Sequence, residues 1–388
     1  MENLNPQISK ENKMKQGLGN YGALREVVDR RARDKLDVVV DVKNVLVTQD
    51  GGAVRLPLGS GYPHDQTFKW TQHSLDQVGT WCGIHKGYMT KMESTQKSKT
   101  LIHDNVSYWF HNRKDNRANR MFRCTKDGNK VNAFLSDMYA RIDDEMVLDC
   151  LDPVLDRLHR YELGSCNVND KFFNVKVLLP ELEYEVKRGQ VVRGGFMASN
   201  SSVGLAQVDL NRFIRVVMCD NGMMGDRPGD GVRRVHRSVR LPLGVLPQYW
   251  ESGVNLPYDI ISDFRKVVDR CTNVEGFKGY VQTMRDATEG EKVKHLDRIS
   301  ERIPTIPSVE WIGDKFSLPS PVKIRITDAF LSVGDYSKWG FVNGITNAAN
   351  HHHDYDEATS LERLGGKILE FNNHQWSDIA RAEYRKAA

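Results

Sequence analysis

The stretch from Val191 to Leu241 constrains this chain more than any other. Two apolar, strand-like runs lie on either side of Asn200-Ser201-Ser202-Val203-Gly204. Asn, Ser and Gly reverse a chain through side-chain hydrogen bonds and permissive backbone angles. The second run closes on Cys219-Asp220-Asn221-Gly222-Met223, a Gly/Asp loop follows, and Arg233, Arg234, Arg237 and Arg240 crowd the segment after it. Strand formers, turn chemistry and clustered arginine coincide here and nowhere else so densely. A chain organised around such a stretch has a strand-rich centre.

Other segments extend the sheet. Val38, Val40 and Val42 alternate with other residues at the period of a half-buried strand. Val45 and Val47, then Asp50-Gly51-Gly52, then Val54 and Leu56 predict a hairpin. Pro57, Gly59, Gly61 and Pro63 make a loop. Leu75, Val78 and Cys82 stand at helical spacing, with Thr71 or Ser74 as the cap and Gly83 and Gly87 as breakers. Asp143 or Asp144 caps a helix through Met146, Val147, Leu151, Leu155 and Leu158, where Pro153 marks a kink or a late start. Phe173, Val175, Val177 and Leu179 alternate as a strand ending at Pro180.

Pro242, Gly244 and Pro247 mark a boundary, after which the pattern changes. Ile260, Ile261, Phe264, Val267, Val268 and Cys271 form an amphipathic helical stripe. Residues 280–303 are charged and read as helical, and Pro304, Pro307, Pro319 and Pro321 bracket an irregular connector. Val322, Ile324 and Ile326 make a short strand-like run, and from Trp339 onward the pattern is helical again. The expectation is an α+β protein. It has a disordered segment over 1–20, a strand-rich core domain with an antiparallel sheet and packed helices over 21–250, and a mainly helical C-terminal region over 251–388.

A charged fraction of 27% beside a hydrophobic fraction of 39% suits a soluble globular protein with a real core. The net charge of +4 is mild, so any anion-binding surface must come from local clustering. The 6 cysteines contain no CxxC pair, which argues for reduced, mostly buried thiols rather than a zinc ribbon or a redox motif. The first residues resemble no signal peptide, and no apolar run has the length to span a bilayer, so a cytoplasmic protein away from the membrane is expected.

Two segments combine the chemistry that single-stranded nucleic acid needs, in which bases stack on rings and cations neutralise phosphates. One holds Tyr108, Trp109 and Phe122 among Arg113, Lys114, Arg117, Arg120 and Arg123. The same composition also fits a solvated loop whose aromatics are core. The other is the arginine cluster Arg227, Arg233, Arg234, Arg237 and Arg240. If residues 234–240 form a strand, Arg234, His236, Ser238 and Arg240 share a face that could follow a phosphate backbone, and salt bridges to nearby Asp are the alternative. Gly222, Gly225, Gly229 and Gly231 match neither GxxxxGK[ST] nor a strand-positioned GxGxxG, so a flexible loop is the better reading. His351, His353 and Asp354 are weak candidates for a metal, since consecutive histidines point in different directions. Cys219 suits a buried thiol better than a nucleophile, and Asp143-Asp144 suits a helix cap better than a catalytic dyad. No catalytic motif is complete and no cofactor is expected.

Four pieces resemble the phage/plasmid-like proteins of unknown function carried by phages, prophages and plasmids: Phe134-Leu135-Ser136-Asp137-Met138-Tyr139, Asn200 to Gly204, Arg215 to Met223, and Arg234-Val235-His236. Trp339 to Thr346 resembles that family's C-terminal motif, with Gly344 in place of an expected Ala. The resemblance covers roughly residues 70–375 and implies a mobile-element setting. A looser analogy joins the chain to Rad52-like single-strand annealing proteins. The expected function is binding of single-stranded DNA by a homo-oligomer of a host bacterium's cytoplasm, with annealing or recombination as its outcome. A metal-dependent nuclease or nucleotide hydrolase, and a virion-associated or protein-interaction module, are the alternatives.

Overall fold

A computed structural model describes residues 21–58, 66–95, 99–112, 118–217, 221–225, 227–228, 230–236, 243–246, 256–297, 299, 304–350 and 355–384. The expected disordered segment 1–20, the loop residues Gly59, Gly61 and Pro63, and Cys219 lie outside them. In chain order, helix α1 (Tyr21–Asp34) leads into β1 (Lys35–Asp41), β2 (Leu46–Val47), β3 (Val54–Arg55) and β4 (Thr67–Trp70). Helices α2 (Gln72–Cys82), α3 (Lys86–Ser94) and α4 (Lys99–Asn112) precede β5 (Asn119–Thr125), β6 (Lys130–Ser136) and α5 (Asp144–Leu155). Strands β7 (Glu162–Val168), β8 (Phe173–Lys187), β9 (Gln190–Asn200), β10 (Val208–Val216), β11 (Asn221–Met224), β12 (Gly231–Arg234) and β13 (Gly244–Val245) follow. The chain closes with α6 (Leu256–Cys271), α7 (Val274–Glu289), α8 (Pro307–Phe316), α9 (Ser320–Val333), α10 (Lys338–Asn350), α11 (Tyr355–Leu369) and α12 (Asn373–Ala380).

The fold is α+β, with a helical C-terminal region. Sheet one has the order β13-β1-β5-β6-β4-β3-β2, antiparallel except where β4 meets β6. Sheet two has the order β11-β10-β9-β8-β7, with β12 also paired to β10. The Asn-Ser-Ser-Val-Gly turn joins β9 to β10 in antiparallel register, Ser199 opposite Asp209. The hairpin around Gly51 and Gly52 also forms, with both glycines at positive φ and Val47 opposite Val54.

Burial explains where the structure departs from sequence periodicity. Strand β1 is buried along both faces, not half-buried. Leu36, Val38 and Val40 pack with α2 to α4, while Val39 joins Met121, Ala133, Leu135, Val203 and Leu246 on the other side. Thr71 caps α2 and Gly83 ends it, but Gly87 sits inside α3 rather than breaking a helix. Strand β8 runs past Pro180, because a bulge between Leu178 and Glu183 spares the ladder the amide that proline lacks. Helix α7 stops at Glu289, so the predicted helix over 280–303 is cut short. The expected proline connector is instead two helix starts, with Pro307 and Pro321 in first turns where a missing N–H costs nothing. Val322 and Ile326 belong to α9. With Phe330 they repeat every four residues and are buried, so the helical period prevails over alternation.

One face of sheet two supports α1, α5 and α6 over a core that includes Leu24, Leu151, Phe196, Leu210 and Phe264. Helices α7 to α12 build a second core with Ile214, Val216, Phe341 and Trp376. Cys82, Cys124, Cys150, Cys166 and Cys271 are buried thiols that form no disulfide.

Candidate nucleic-acid interface

Side chains alternate along β10, so Val208 and Leu210 enter the core while Asp209, Asn211 and Phe213 share the opposite face. Register carries that alternation across the sheet. Arg233 of β12, Asp209 of β10, Ser199 of β9, Asn174 of β8 and Asn167 of β7 stand side by side in one polar row. The next row contains Asn211, Met197 and Lys176.

Helix α11 crosses this face. Its apolar stripe, Leu361, Leu364 and Ile368, enters the helical core. Glu362 accepts a 2.6 Å hydrogen bond from Lys176 Nζ, and both side chains are almost fully buried. The Lys176 ammonium also lies 4.9 Å from the Phe213 ring centroid. Gly366 allows the close approach, since a Cβ there would stand 1.6 Å from the Met224 carbonyl oxygen. Arg363 reaches Asp209 Oδ2 at 2.8 Å and Ser199 Oγ at 3.4 Å.

Two adjoining cavities open between this face and α11. The larger, about 710 Å³, is bounded by Met224, Arg227, Phe316, Leu318, Leu364 and Lys367 among others. The smaller, about 570 Å³, is bounded by Lys171, Phe172, Asn174, Gln207, Asp356 and Thr359 among others. Arg233, Ser360 and Arg363 line both, so the two are lobes of one cleft and these residues form its waist. At the waist Arg363 bonds one oxygen of the buried Asp209 carboxylate, and Arg233 Nε lies 3.7 Å from the other. One carboxylate thus orients two guanidiniums, and the Arg233 side chain stays 64% exposed. In the larger lobe Arg227 is held over the Tyr280 ring at 3.6 Å and by Glu370 at 2.9 Å. Lys367 lies 5.1 Å from the Phe316 ring centroid.

Among the described residues, Arg227 and Arg233 of the arginine cluster line this cleft, with Gly225 and Gly231 of the glycine-rich loop. Arg234, the neighbour of Arg233 on β12, turns to the other face and pairs with Asp263 on α6. Strand β12 ends at Arg234, and beyond it His236 stacks on Tyr139 and bonds the Ala140 carbonyl at 3.0 Å through Nδ1. Arg113, Lys114, Arg117, Arg237 and Arg240 lie outside the described residues, as do His351, His353 and Asp354. Among the described residues no three His, Cys, Asp or Glu side chains group as metal ligands. Tyr108 and Trp109 are exposed on α4, edge to face with ring centroids 5.2 Å apart.

Two candidates are corrected by their burial. Phe122 is fully enclosed by Trp70, Phe110 and Phe134, where no base can stack on it. Arg123 points to the opposite side of β5, but that side is covered too. Arg120 lies over the Phe134 ring at 4.7 Å. The alternation of β5 splits a run that looks uniformly basic and aromatic, and around β1 and β5 sheet one is covered on both faces.

Arg123 instead centres a buried ionic cluster. It lies opposite Asp37 in the β1–β5 register and bonds it through Nε and Nη2, both at 3.0 Å. It also donates to Asp143 and to the Ser202 carbonyl in the β9–β10 turn. Arg141 adds a 3.0 Å contact to Asp37, and Lys35 lies 2.9 Å from Asp143 and 3.5 Å from Glu145. Asp143 occupies the N-cap position of α5 but makes no side-chain cap bond, because its oxygens face Arg123 and Lys35. Burial alone would raise Asp143, but Arg123 and Lys35 hold it well below the usual carboxylate range. Burial, and then the Asp143 charge, push Glu145 up to about 7. Burial lowers His236 to about 4.

Sequence reasoning missed Arg363, Lys367, Lys171 and Asp209. The available signal was the placement of Asp209 and Asn211 at alternate positions around the buried Leu210. No protein-family model, curated protein or solved structure matches this chain.

Proposed function

We propose that the chain binds single-stranded DNA in the cleft between sheet two and α11, without performing chemistry on it. The observation that carries this reading is the waist, where Arg233 and Arg363 converge between two lobes that each hold a partly exposed phenyl ring, Phe316 and Phe172. Guanidiniums neutralise phosphate, and rings accept any base face. Rings set within a cleft suit unpaired bases, which favours single strands over duplex. The motif resemblance adds a mobile-element setting in a bacterial cytoplasm, with annealing or recombination as the use. Among the described residues no helix is long and apolar enough to cross a membrane. The annealing analogy further leads to a homo-oligomer that aligns one cleft per subunit, which sizing with light scattering tests.

The primary test is fluorescence anisotropy with labelled single-stranded and duplex DNA across a salt titration. The expected result is single-strand binding that weakens as salt rises, and that weakens again in Arg233→Ala and in Arg363→Ala. Absence of binding at low salt overturns the reading.

A further inference from the structure

We infer that the cleft seats one dinucleotide step centred on a single phosphate, rather than a long run of DNA backbone. This rests on the single-strand reading above and narrows it. The two waist guanidiniums are held by the same carboxylate, Arg363 at 2.8 Å and Arg233 at 3.7 Å, so they stand close enough together to share one anion. One lobe lies on each side of that point, and each has one ring, Phe316 in the larger and Phe172 in the smaller. The volumes, about 710 and 570 Å³, fall within the span of small-ligand pockets rather than of an extended channel.

The charges bound the seat in the same way. Each lobe contributes one further exposed lysine, Lys367 beside Phe316 and Lys171 beside Phe172. Deeper in the larger lobe the charges are already matched within the protein, Asp230 by Arg212 and Arg227 by Glu370. A central phosphate and one flanking phosphate on each side therefore meet the exposed cations. Met224, Leu318, Leu361 and Leu364 form an apolar patch beside Phe316 in the larger lobe, against which a base can stack. Asn174, Ser199, Gln207 and Thr359 give the smaller one hydrogen-bonding groups for a base edge.

The test is a length series on the unmodified protein, with thymidine oligonucleotides running from the mononucleotide through the dinucleotide carrying both terminal phosphates to long oligomers. The expected result is a gain of about tenfold or more from mononucleotide to dinucleotide. Beyond that length, affinity grows only in proportion to the number of binding registers. Neutralising three phosphates on a single strand gives a log–log salt slope of about −2, and it holds at every length above the dinucleotide. Replacing the central linkage of the dinucleotide by a neutral methylphosphonate removes most of the gain. Affinity that climbs steeply with each added nucleotide, a salt slope that steepens with length, or indifference to the methylphosphonate overturns the dinucleotide seat while single-strand binding stands. Lack of binding at every length overturns the single-strand reading itself.

Discussion

Each sheet carries an arginine directly opposite an aspartate on the neighbouring strand, and the two pairs have opposite surroundings. Arg123 faces Asp37 in sheet one, where helices cover one side and the β9–β10 turn and α5 close the other. Its donors are consumed by two carboxylates and a carbonyl. Arg233 faces Asp209 in sheet two, where α11 stands off far enough to leave a cleft. Among the described residues its protein partner is a 3.7 Å ion pair, which leaves donors facing the opening. The same cross-strand geometry thus makes an internal fastening in one place and a pair open to a cleft in the other. What separates them is whether the covering element closes over the guanidinium.

The largest expected effect tests the fastening. Arg123→Ala strands Asp37 and Asp143 without their shared cation, and loss of one partner from a buried ion pair costs about 3–5 kcal/mol. Urea unfolding measures it, and a loss below about 1 kcal/mol would erase the contrast between the pairs. The second effect reverses the pattern. Arg233→Ala should weaken single-strand binding by roughly tenfold or more, as expected for a charge-assisted contact, while stability shifts by less than about 1 kcal/mol. Equal losses of stability and binding would show that Arg233 is structural after all.

A third prediction sharpens the account of the closed site through pH. The folded pKa of Glu145 is raised to about 7, above its ordinary value, so between those pH values the folded state holds a proton that the unfolded state has released. Its charging therefore costs stability as pH rises through that window. Glu145→Gln, which mimics the protonated form, should raise Tm relative to the parent at pH 8 and lose that advantage near pH 5. His236 acts in the opposite sense: its folded value near 4 makes stability fall on acidification from its ordinary value downward, in parent and variant alike. The smallest effect concerns α4. Tyr108→Ser and Trp109→Ser should change binding less than Arg233→Ala does, and a loss rivalling it would extend the recognition surface to sheet one.

The strands of the β9–β10 hairpin were legible because alternation and turn residues agree there. The sequence run around Phe122 and Arg123 misled because adjacency in a strand means opposite faces, and because nothing local announces that both faces are covered. The partner of Asp209 was illegible for another reason. Arg363 lies 154 residues away, and only the packing of α11 on the sheet brings it near. The proline-rich stretch read as a connector because proline marks a helix's first turn as readily as a loop. Val322, Ile324 and Ile326 fit two periods at once, and only the burial of Phe330 decides between them.

The turn between β9 and β10 also sets how this protein can change over generations. Its Ser202 carbonyl is anchored to Arg123, and its Ser201 hydroxyl donates to the Lys171 carbonyl at 2.7 Å. Anchored this way, it passes a change of length into the strands that leave it. A slip of one residue would bring Val208 and Ala198 to the open face in place of Asp209 and Ser199 and turn the waist apolar, whereas a slip of two would preserve the alternation. Insertions in this chain should therefore be tolerated at the distant helix connections and counted in pairs here.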